Sequence, residues 1–530
     1  MGMIESGGVA CKCTGRRSYG FREATFHENR IFLSNLRSVS MTPLLLNGLC
    51  CTRWPSVAGT RTCILSMDDR EKSGSTMLES SRQKRVPLYV MMPADTFGID
   101  ASGSPRIRKI KAITVSLKAL KLAGVHGIAV EVWWGIVERF SPLAYNWSLY
   151  EELFQLISQM GLKLHVALSF HSNRRTSSSG SGGVSLPLWI LEIGEHNKDI
   201  YYQDQNGFSN DAYLTLGVDQ IPLFCGRTAI QCYEDFMFSF FNKFDSFIGN
   251  VIEEISVGLG PSGELRYPAH PFGDGRWEFP GIGEFQCYDK YMMEDLRMAA
   301  AQEGKPQWGD KGPQNAGYYN SLPSGVPFFG EGEEGFLSDY GRFFLEWYSG
   351  RLIQHADAIL AKAANMLKKY QENKRTTVIL VAKIGGIYWW YWTFSHPAEL
   401  TSGYYNTAYR DGYDPIALML SRHGAALHIS CLEMLDSETS PAYLCSPEGL
   451  LEQIRTVSKK RTIRLIGRNT NEQFNKAGLC QIYANCYHPK AVVRAFTFFR
   501  MNDKIFRVEN WKNFVPFVRK MSTDLVYLET

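Results

Sequence analysis

The sequence predicts a (β/α)8 barrel, the TIM-barrel fold of the α/β class, over residues 86–530 of a 530-residue chain. Two observations predict it. Eight short apolar segments of strand length run along the chain, and helical patterns alternate with them. A doubly wound sheet is the alternative, but no Gly-rich phosphate-binding fingerprint is present, which favours the barrel.

Most of the eight segments are nearly continuous apolar runs, which is typical of strands buried on both faces. Helical spacing between them predicts one helix that ends at Gly124, one that ends at Gly161, one that begins at Ser446-Pro447 and a long one from Asp339 to Tyr370. The predicted strands are Val86–Pro93, Gly127–Trp134, Leu164–His171, Ile252–Gly260, Thr377–Ile387, Ala425–Met434, Thr462–Asn469 and Arg494–Asn502.

The two long connections run from Ser172 to about Gly226, after the third strand, and from Pro261 to about Gly335, after the fourth. Loops of this length usually carry function. Because both follow predicted strands, they belong to the carboxyl-terminal face of the barrel, where barrel enzymes keep their active sites.

Residues 1–66 form a predicted leader, and residues 67–85 a polar linker. The leader has eight Lys and Arg against three Asp and Glu, contains seven Ser, and shows no periodic apolar pattern. Such a composition suits a chloroplast or mitochondrial transit peptide, with a merely disordered tail as the alternative.

Charge and cysteine content exclude several classes of protein. The net charge of +4 comes from the leader, and the remainder holds 49 basic and 50 acidic residues, which gives no footing for nucleic-acid binding. No run of about 18 apolar residues predicts a membrane span. Five of twelve Cys lie in the leader, and the other seven include no CxxC pair, so neither a zinc site nor a disulfide framework is expected. A redox sensor is a weak alternative.

Polar side chains collect where the predicted strands end. Carboxylate, imidazole, ammonium, guanidinium and aromatic groups around one barrel mouth suit a sugar site, since hydroxyls need hydrogen-bond partners and pyranose faces stack on rings. Glu264 is the sharpest candidate, because it follows a Gly-Pro-Ser-Gly turn that packing does not require. Trp133, Trp389, Trp390 and Cys431 are expected in the core. The candidate site residues are Glu131, His171, Glu264, Lys383, Tyr388, Ser430, Arg468, Asn469 and Arg500.

Four long motifs, residues 130–138, 258–268, 279–291 and 396–406 with 410–413, resemble the β-amylases of glycoside hydrolase family 14, and the resemblance covers about residues 86–520. It implies a barrel that grips the non-reducing end of an α-1,4-glucan. Active members release maltose with inversion, through a general-acid Glu and a general-base Glu. The resemblance places the acid at Glu264 and substrate-binding residues at His171, Lys383 and Arg500.

The chain departs from the family pattern at several substrate-binding positions. A family Asp is Glu131, a His is Tyr388, and an Asn and a Thr are His428 and Ser430. The family's mobile lid carries a sugar-binding Asp, whereas residues 172–191 contain neither Asp nor Glu.

The largest departure is at the seventh strand, where active members have Gly-Glu-Asn and this chain has Gly467-Arg468-Asn469. An inverting mechanism needs a second carboxylate, about 6.5–9.5 Å from the acid, to activate water. Arginine stays protonated and cannot accept that proton. Its charge is also expected to lower the pKa of Glu264, whereas a general acid needs a raised pKa.

The sequence therefore predicts a chloroplast-targeted, β-amylase-like glucan-binding protein of starch degradation with little or no hydrolase activity and a regulatory role. The alternative is an active β-amylase in which Glu433, Asp436 or Glu438 replaces the missing base. The expected partners are α-1,4-glucan or maltooligosaccharides and other starch-metabolising proteins, without nucleic acid or membrane. No cofactor and no metal are expected.

Overall fold

The structure is a computed structural model that describes residues 82–83, 85–100, 102–173, 183–373, 378–523 and 525–526. The predicted leader lies outside the described residues, and so does most of the predicted linker. The boundaries at residues 66 and 85 therefore stay predictions.

A closed barrel of eight parallel strands forms the centre of the fold. Each strand pairs with the next along the chain, and the eighth returns to the first, where Phe496 lies opposite Leu88. The strands are β1 (Leu88–Met91), β2 (Gly127–Trp133), β3 (Lys163–Ser169), β4 (Ile252–Val257), β5 (Ile379–Ile384), β6 (Ala426–Ile429), β7 (Leu465–Arg468) and β8 (Ala495–Phe498). Closure excludes the doubly wound sheet, and the predicted (β/α)8 fold is confirmed.

Helices surround the barrel and complete the β/α repeats. Their ends follow local sequence signals: α1 ends at Gly124, whose φ of 98° suits glycine, and the Ser446 hydroxyl accepts a hydrogen bond from the Gly449 N–H at the start of α10. The helices are α1 (Ile110–Ala123), α2 (Trp134–Val137), α3 (Ser148–Gln159), α4 (Leu188–His196), α5 (Ala229–Lys243), α6 (Lys290–Gln302), α7 (Asp339–Asn373), α8 (Pro397–Thr401), α9 (Tyr413–Arg422), α10 (Pro447–Arg461), α11 (Lys476–Cys486) and α12 (Val508–Met521).

The core has two parts, because strand residues alternate between the helices and the barrel interior. On β1, Leu88 and Val90 pack in the large outer cluster, whereas Tyr89 belongs to a small separate cluster with alanine and aliphatic side chains of neighbouring strands. Buried polar groups, among them His165 and His428, also lie in the barrel interior. The interior is therefore partly polar even below the mouth.

A short extra strand, Glu264–Leu265, resumes the sheet after β4. It pairs in parallel with β5, so that Glu264 lies opposite Lys383 in the backbone register. Gly260, between β4 and this strand, leaves no room for a side chain, since an added Cβ would lie 2.4 Å from the Glu264 carbonyl oxygen. The turn therefore fixes where the Glu264 backbone lies.

Both long connections carry structure of their own. The connection after β3 contains α4 and a hairpin of Tyr201–Gln203 with Ser209–Leu214, and the connection after β4 contains α6. A second hairpin, Phe97–Ile99 with Pro105–Ile107, follows β1. Strands Arg82–Gln83 and Leu525–Val526 pair near the two ends of the described chain. Among the described helices, none is both long and apolar enough to cross a membrane.

Candidate active site

Six of the nine predicted site residues meet at the carboxyl ends of the barrel strands. Glu131, His171, Lys383 and Arg468 line one cavity of about 50 Å3. Ion pairs join further charged side chains to this group, and those at its centre remain between 11% and 17% exposed, so solvent reaches them. We call this group of charged residues the mouth cluster: Glu131, Glu264, Arg266, Lys383, Arg468 and Arg500.

Three cations surround the carboxylate of Glu264. Lys383 Nζ lies 3.0 Å from Oε1, and Arg266 Nε donates a hydrogen bond to Oε2 at 2.7 Å. Arg468 Nη2 lies 3.8 Å from Oε1. The position that the family resemblance assigns to the general acid therefore carries an ionised, ion-paired side chain.

The pKa of Glu264 follows from these contacts. Burial alone would raise it, but the charges of Lys383, Arg266 and Arg468 outweigh burial and lower the pKa to about 2. The pKa of Glu264 is lowered, as the sequence predicts, but Arg468 lowers it less than Lys383 and Arg266 do. Burial and the charge of Arg468 also lower the pKa of Lys383 to about 8. Removing Arg468 would consequently relieve only part of the depression at Glu264.

Arg468 and Arg500 share one aromatic ring. Their guanidinium carbons lie 4.5 Å and 4.4 Å from the centroid of the Phe499 ring. Arg500 Nη1 is 3.5 Å from the Glu131 carboxylate, at the edge of hydrogen-bonding distance. The two arginines thus bring like charges close together at the ends of β7 and β8.

His171 lies against the other side of the mouth as a neutral imidazole. Burial and the charge of Lys383 lower its pKa to about 3. Its ring makes an edge contact with Trp133, 5.0 Å between centroids. Nδ1 is buried and has no hydrogen-bond partner among the described residues. A neutral imidazole with an unused nitrogen can hydrogen-bond a hydroxyl group.

Asn469 uses its amide group on the backbone. Its side-chain oxygen accepts from the Phe499 N–H at 2.8 Å, and its nitrogen donates to the Phe499 carbonyl at 2.7 Å and to the Asn471 carbonyl at 2.9 Å. The side chain is fully buried. The structure therefore places Asn469 as a clip between the ends of β7 and β8, where it holds Arg468 and Arg500 in position.

Ser430 is buried and Tyr388 is partly buried, and both lie next to other uncharged groups. The Ser430 hydroxyl is 3.6 Å from the Cys431 sulfur, and the Tyr388 ring packs on Phe279 and Trp389. Trp133, Trp389, Trp390 and Cys431 are buried, as expected for core residues.

The three carboxylates proposed as substitute bases have other contacts. Glu433 is fully buried, and its Oε1 accepts from the backbone N–H groups of Thr470 and Asn471. Burial raises its pKa, and its Oε2 has no hydrogen-bond partner among the described residues. Asp436 accepts from the Ser446 hydroxyl and the Glu448 N–H, which ties it to the start of α10. Glu438 accepts from the Leu435 N–H.

The lid segment is described only at its two ends. Ser172 N–H donates to the Ala212 carbonyl, and Asn173 N–H donates to the Val184 carbonyl, both at 2.7 Å. Residues 174–182 lie outside the described residues. The absence of Asp and Glu from the lid is therefore known from the sequence alone.

Two residues of the site, Arg266 and Phe499, are not among those predicted from the sequence. Arg266 was not among the candidates, although it makes the shortest ion pair to Glu264. Arg266 follows the strand Glu264–Leu265, and residues two apart in an extended chain share a face, but a strand of two residues is too short to predict. Phe499 was also missed, and its place between Asn469 and Arg500 could not be inferred from an apolar strand end.

The site offers no second carboxylate for water activation at the position of Arg468. Among the described residues, no group of three or more His, Cys, Asp or Glu side chains could hold a metal ion. The mouth cluster can instead hold polar or charged ligands through its cations and the Glu131 and Glu264 carboxylates.

The closed barrel, with Glu264 at its carboxyl-terminal face and long loops after β3 and β4, is the arrangement that the resemblance to a glycoside-hydrolase barrel implies. Residues 89–525 match Glycosyl hydrolase family 14, and the chain belongs to that family. A β-amylase catalytic domain from Paenibacillus polymyxa has the same fold, with a TM-score of 0.67 and 25% identity over 84% of this chain and 100% of that one.

Curated relatives include active and inactive names. Inactive beta-amylase 4, chloroplastic, from Arabidopsis thaliana is 67% identical over 99% of this chain and 100% of its own length. Beta-amylase 2, chloroplastic, from Oryza sativa subsp. japonica is 43% identical over 84% of this chain and 78% of its own length. These comparisons confirm the predicted family, the prediction of a non-catalytic member and the predicted chloroplast location. The family also implies a glucan as the substrate class, whereas specific partners are left open.

Proposed function

We propose that the chain is a non-hydrolytic α-1,4-glucan-binding protein that regulates starch degradation in the chloroplast. The observation that carries this proposal is the ion pair between Arg468 and Glu264. A cation stands where an inverting hydrolase needs a proton acceptor, and the partner carboxylate stays ionised when it should donate a proton.

Glucan binding is supported by the groups that remain in the mouth. His171 offers an unpaired imidazole nitrogen, and Lys383, Arg500 and Glu131 are charged and accessible to solvent. Sugar hydroxyls can exchange hydrogen bonds with each of them. Other starch-metabolising proteins are proposed as further partners, because a binding protein without hydrolysis acts on metabolism through what it contacts.

Two measurements test the proposal together. The purified chain is expected to bind maltooligosaccharides in calorimetry, and to release maltose from soluble starch at least ~10²-fold more slowly than a β-amylase, since a positioned base contributes ~10²–10⁴-fold. Absence of binding at millimolar ligand would leave the barrel as a scaffold for protein partners only.

An active β-amylase is the second candidate, and the free Oε2 of Glu433 is the observation in its favour. We expect no role for it as a base, because the side chain is out of reach of water. Glu433→Gln is the direct test: strong maltose release by the unmodified protein that this substitution abolishes would establish Glu433 as the base.

A further inference from the structure

The mouth cluster contains more positive than negative charge. Lys383, Arg266, Arg468 and Arg500 are cations, whereas only Glu264 and Glu131 in the cluster are carboxylates. If the buried Glu433 is counted as ionised, the cations still exceed the carboxylates by one. Cations held close together in a partly buried site repel one another and attract an anion.

The excess is concentrated on Arg468 and Arg500. Arg266 and Lys383 reach Glu264 at 2.7 and 3.0 Å, which are distances of full ion pairs. Arg468 and Arg500 lie at 3.8 and 3.5 Å from their carboxylates, outside good hydrogen-bond geometry. The two most loosely held cations are therefore those on the Phe499 ring.

Each of these two guanidinium groups also has an unused donor. Arg468 Nε and Arg500 Nε are buried, and neither has a hydrogen-bond partner among the described residues. A buried donor without a partner costs free energy that a suitable acceptor would recover. A neutral sugar hydroxyl could accept one such bond but would leave the positive charge in place.

We propose that the mouth takes an anionic α-glucan, a maltooligosaccharide that carries a phosphate monoester, with the phosphate held by Arg468 and Arg500. This inference rests on the proposed glucan binding and names the ligand class. A phosphate monoester has three strong acceptor oxygens and nearly two negative charges, and guanidinium forks match its geometry. The sugar residues then contact His171 at the other side of the mouth.

Calorimetry at low ionic strength tests the inference with three probes: a neutral maltooligosaccharide, the same oligosaccharide phosphorylated on one glucose, and inorganic phosphate. The phosphorylated oligosaccharide is expected to bind at least about tenfold more tightly than the neutral one, as a charge-assisted hydrogen bond permits. The preference should shrink as salt is added, because the groups are partly exposed.

Matched variants locate the effect. Arg468→Gln should reduce the preference to within about threefold, whereas Arg468→Lys, which keeps the charge but loses the guanidinium fork, should retain only part of it. Arg464→Gln removes one charge from the exposed residue before the opposite end of β7 and should leave the preference unchanged. Thermal melting of each variant verifies that it is folded.

Each outcome is decisive. Equal affinity for the neutral and phosphorylated oligosaccharides would overturn the inference and leave the proposed glucan binding intact. Inorganic phosphate that binds as tightly as the phosphorylated oligosaccharide would also overturn it, since the site would then be an anion site only. Binding of neither oligosaccharide would overturn the proposed function as well. A preference that survives Arg468→Gln would place the phosphate elsewhere.

Discussion

The guanidinium of Arg468 faces the carboxylate of Glu264 across the barrel mouth, with Nη2 3.8 Å from Oε1. The pair joins the end of β7 to the short strand beside β5. An inverting glycosidase would need two carboxyl groups flanking the bond at these positions, one of them a proton acceptor. Here the Arg468 guanidinium attracts the Glu264 carboxylate and favours its ionised form, so neither a proton acceptor nor a proton donor remains at these positions.

Arg468→Glu is expected to restore part of a hydrolase activity. The substitution replaces a cation with a proton acceptor and removes one of three charges that lower the pKa of Glu264. Lys383 and Arg266 remain, so recovery should fall short of the full ~10²–10⁴-fold contribution of a base. Maltose release from soluble starch measures it, and adding an Asp-bearing lid should raise the rate further.

The double variant Arg468→Glu with Glu264→Gln is the control for that experiment. It should lose the regained activity, because the amide cannot donate a proton to the leaving group. Activity that persists in the double variant would show that the hydrolysis does not use Glu264.

Asn469→Ala is expected to destabilise the protein by roughly 2–4 kcal/mol, since it removes three hydrogen bonds and leaves buried backbone groups of Phe499 unpaired. Urea unfolding measures the free energy. Asn250→Ala, which removes one exposed hydrogen bond to Ser246, is the matched control and should change it by less than about 1 kcal/mol. Similar losses in both variants would contradict a clip between β7 and β8.

His171 predicts a pH dependence of stability. Burial and the charge of Lys383 lower its pKa from 6.5 to about 3. Between these two pH values His171 is protonated in the unfolded chain but neutral in the folded chain. Its contribution is complete above pH 6.5 and is lost as the pH falls toward 3. His171→Gln should flatten the slope of unfolding free energy between pH 6 and 4 by up to about 1.4 kcal/mol per pH unit. An unchanged slope would show that His171 is already protonated in the folded state.

Removal of residues 1–66 is expected to leave the melting temperature unchanged, because their sequence shows no core-forming pattern. The same segment fused to a fluorescent reporter should direct it into chloroplasts. Microscopy of plant cells provides the measurement, and a reporter that stays in the cytosol or is secreted would argue against a transit peptide.

The fold was predictable because its strands are buried on both faces. β2 and β5, for example, are mostly aliphatic and almost fully buried, and the closed barrel is the arrangement that covers both of their faces. Helix ends at Gly124 and Ser446 followed local chemistry that requires no tertiary information. Loop courses depended on long-range contacts and could not be predicted in this way.

The site was predictable as a group of residues but not as a set of contacts. Strand ends of a barrel must meet, so Glu131, His171 and Lys383 were expected together. The direction of a side chain just past a strand end depends on the backbone there, and Asn469 turned to the Phe499 backbone instead of the mouth. The pairing of Glu264 with Arg266 likewise depended on a two-residue strand too short to predict.

The backbone register sets Glu264 opposite Lys383 without any contribution from their side chains, so the fold and the chemistry of the mouth can change independently. Main-chain hydrogen bonds place both residues, while the barrel owes its folding to apolar side chains at other positions. The fold therefore does not depend on which side chains perform the chemistry at the mouth. In a family with this fold, catalytic activity can be lost while the barrel stays folded. Selection for a new ligand can then act on a protein that is already stable.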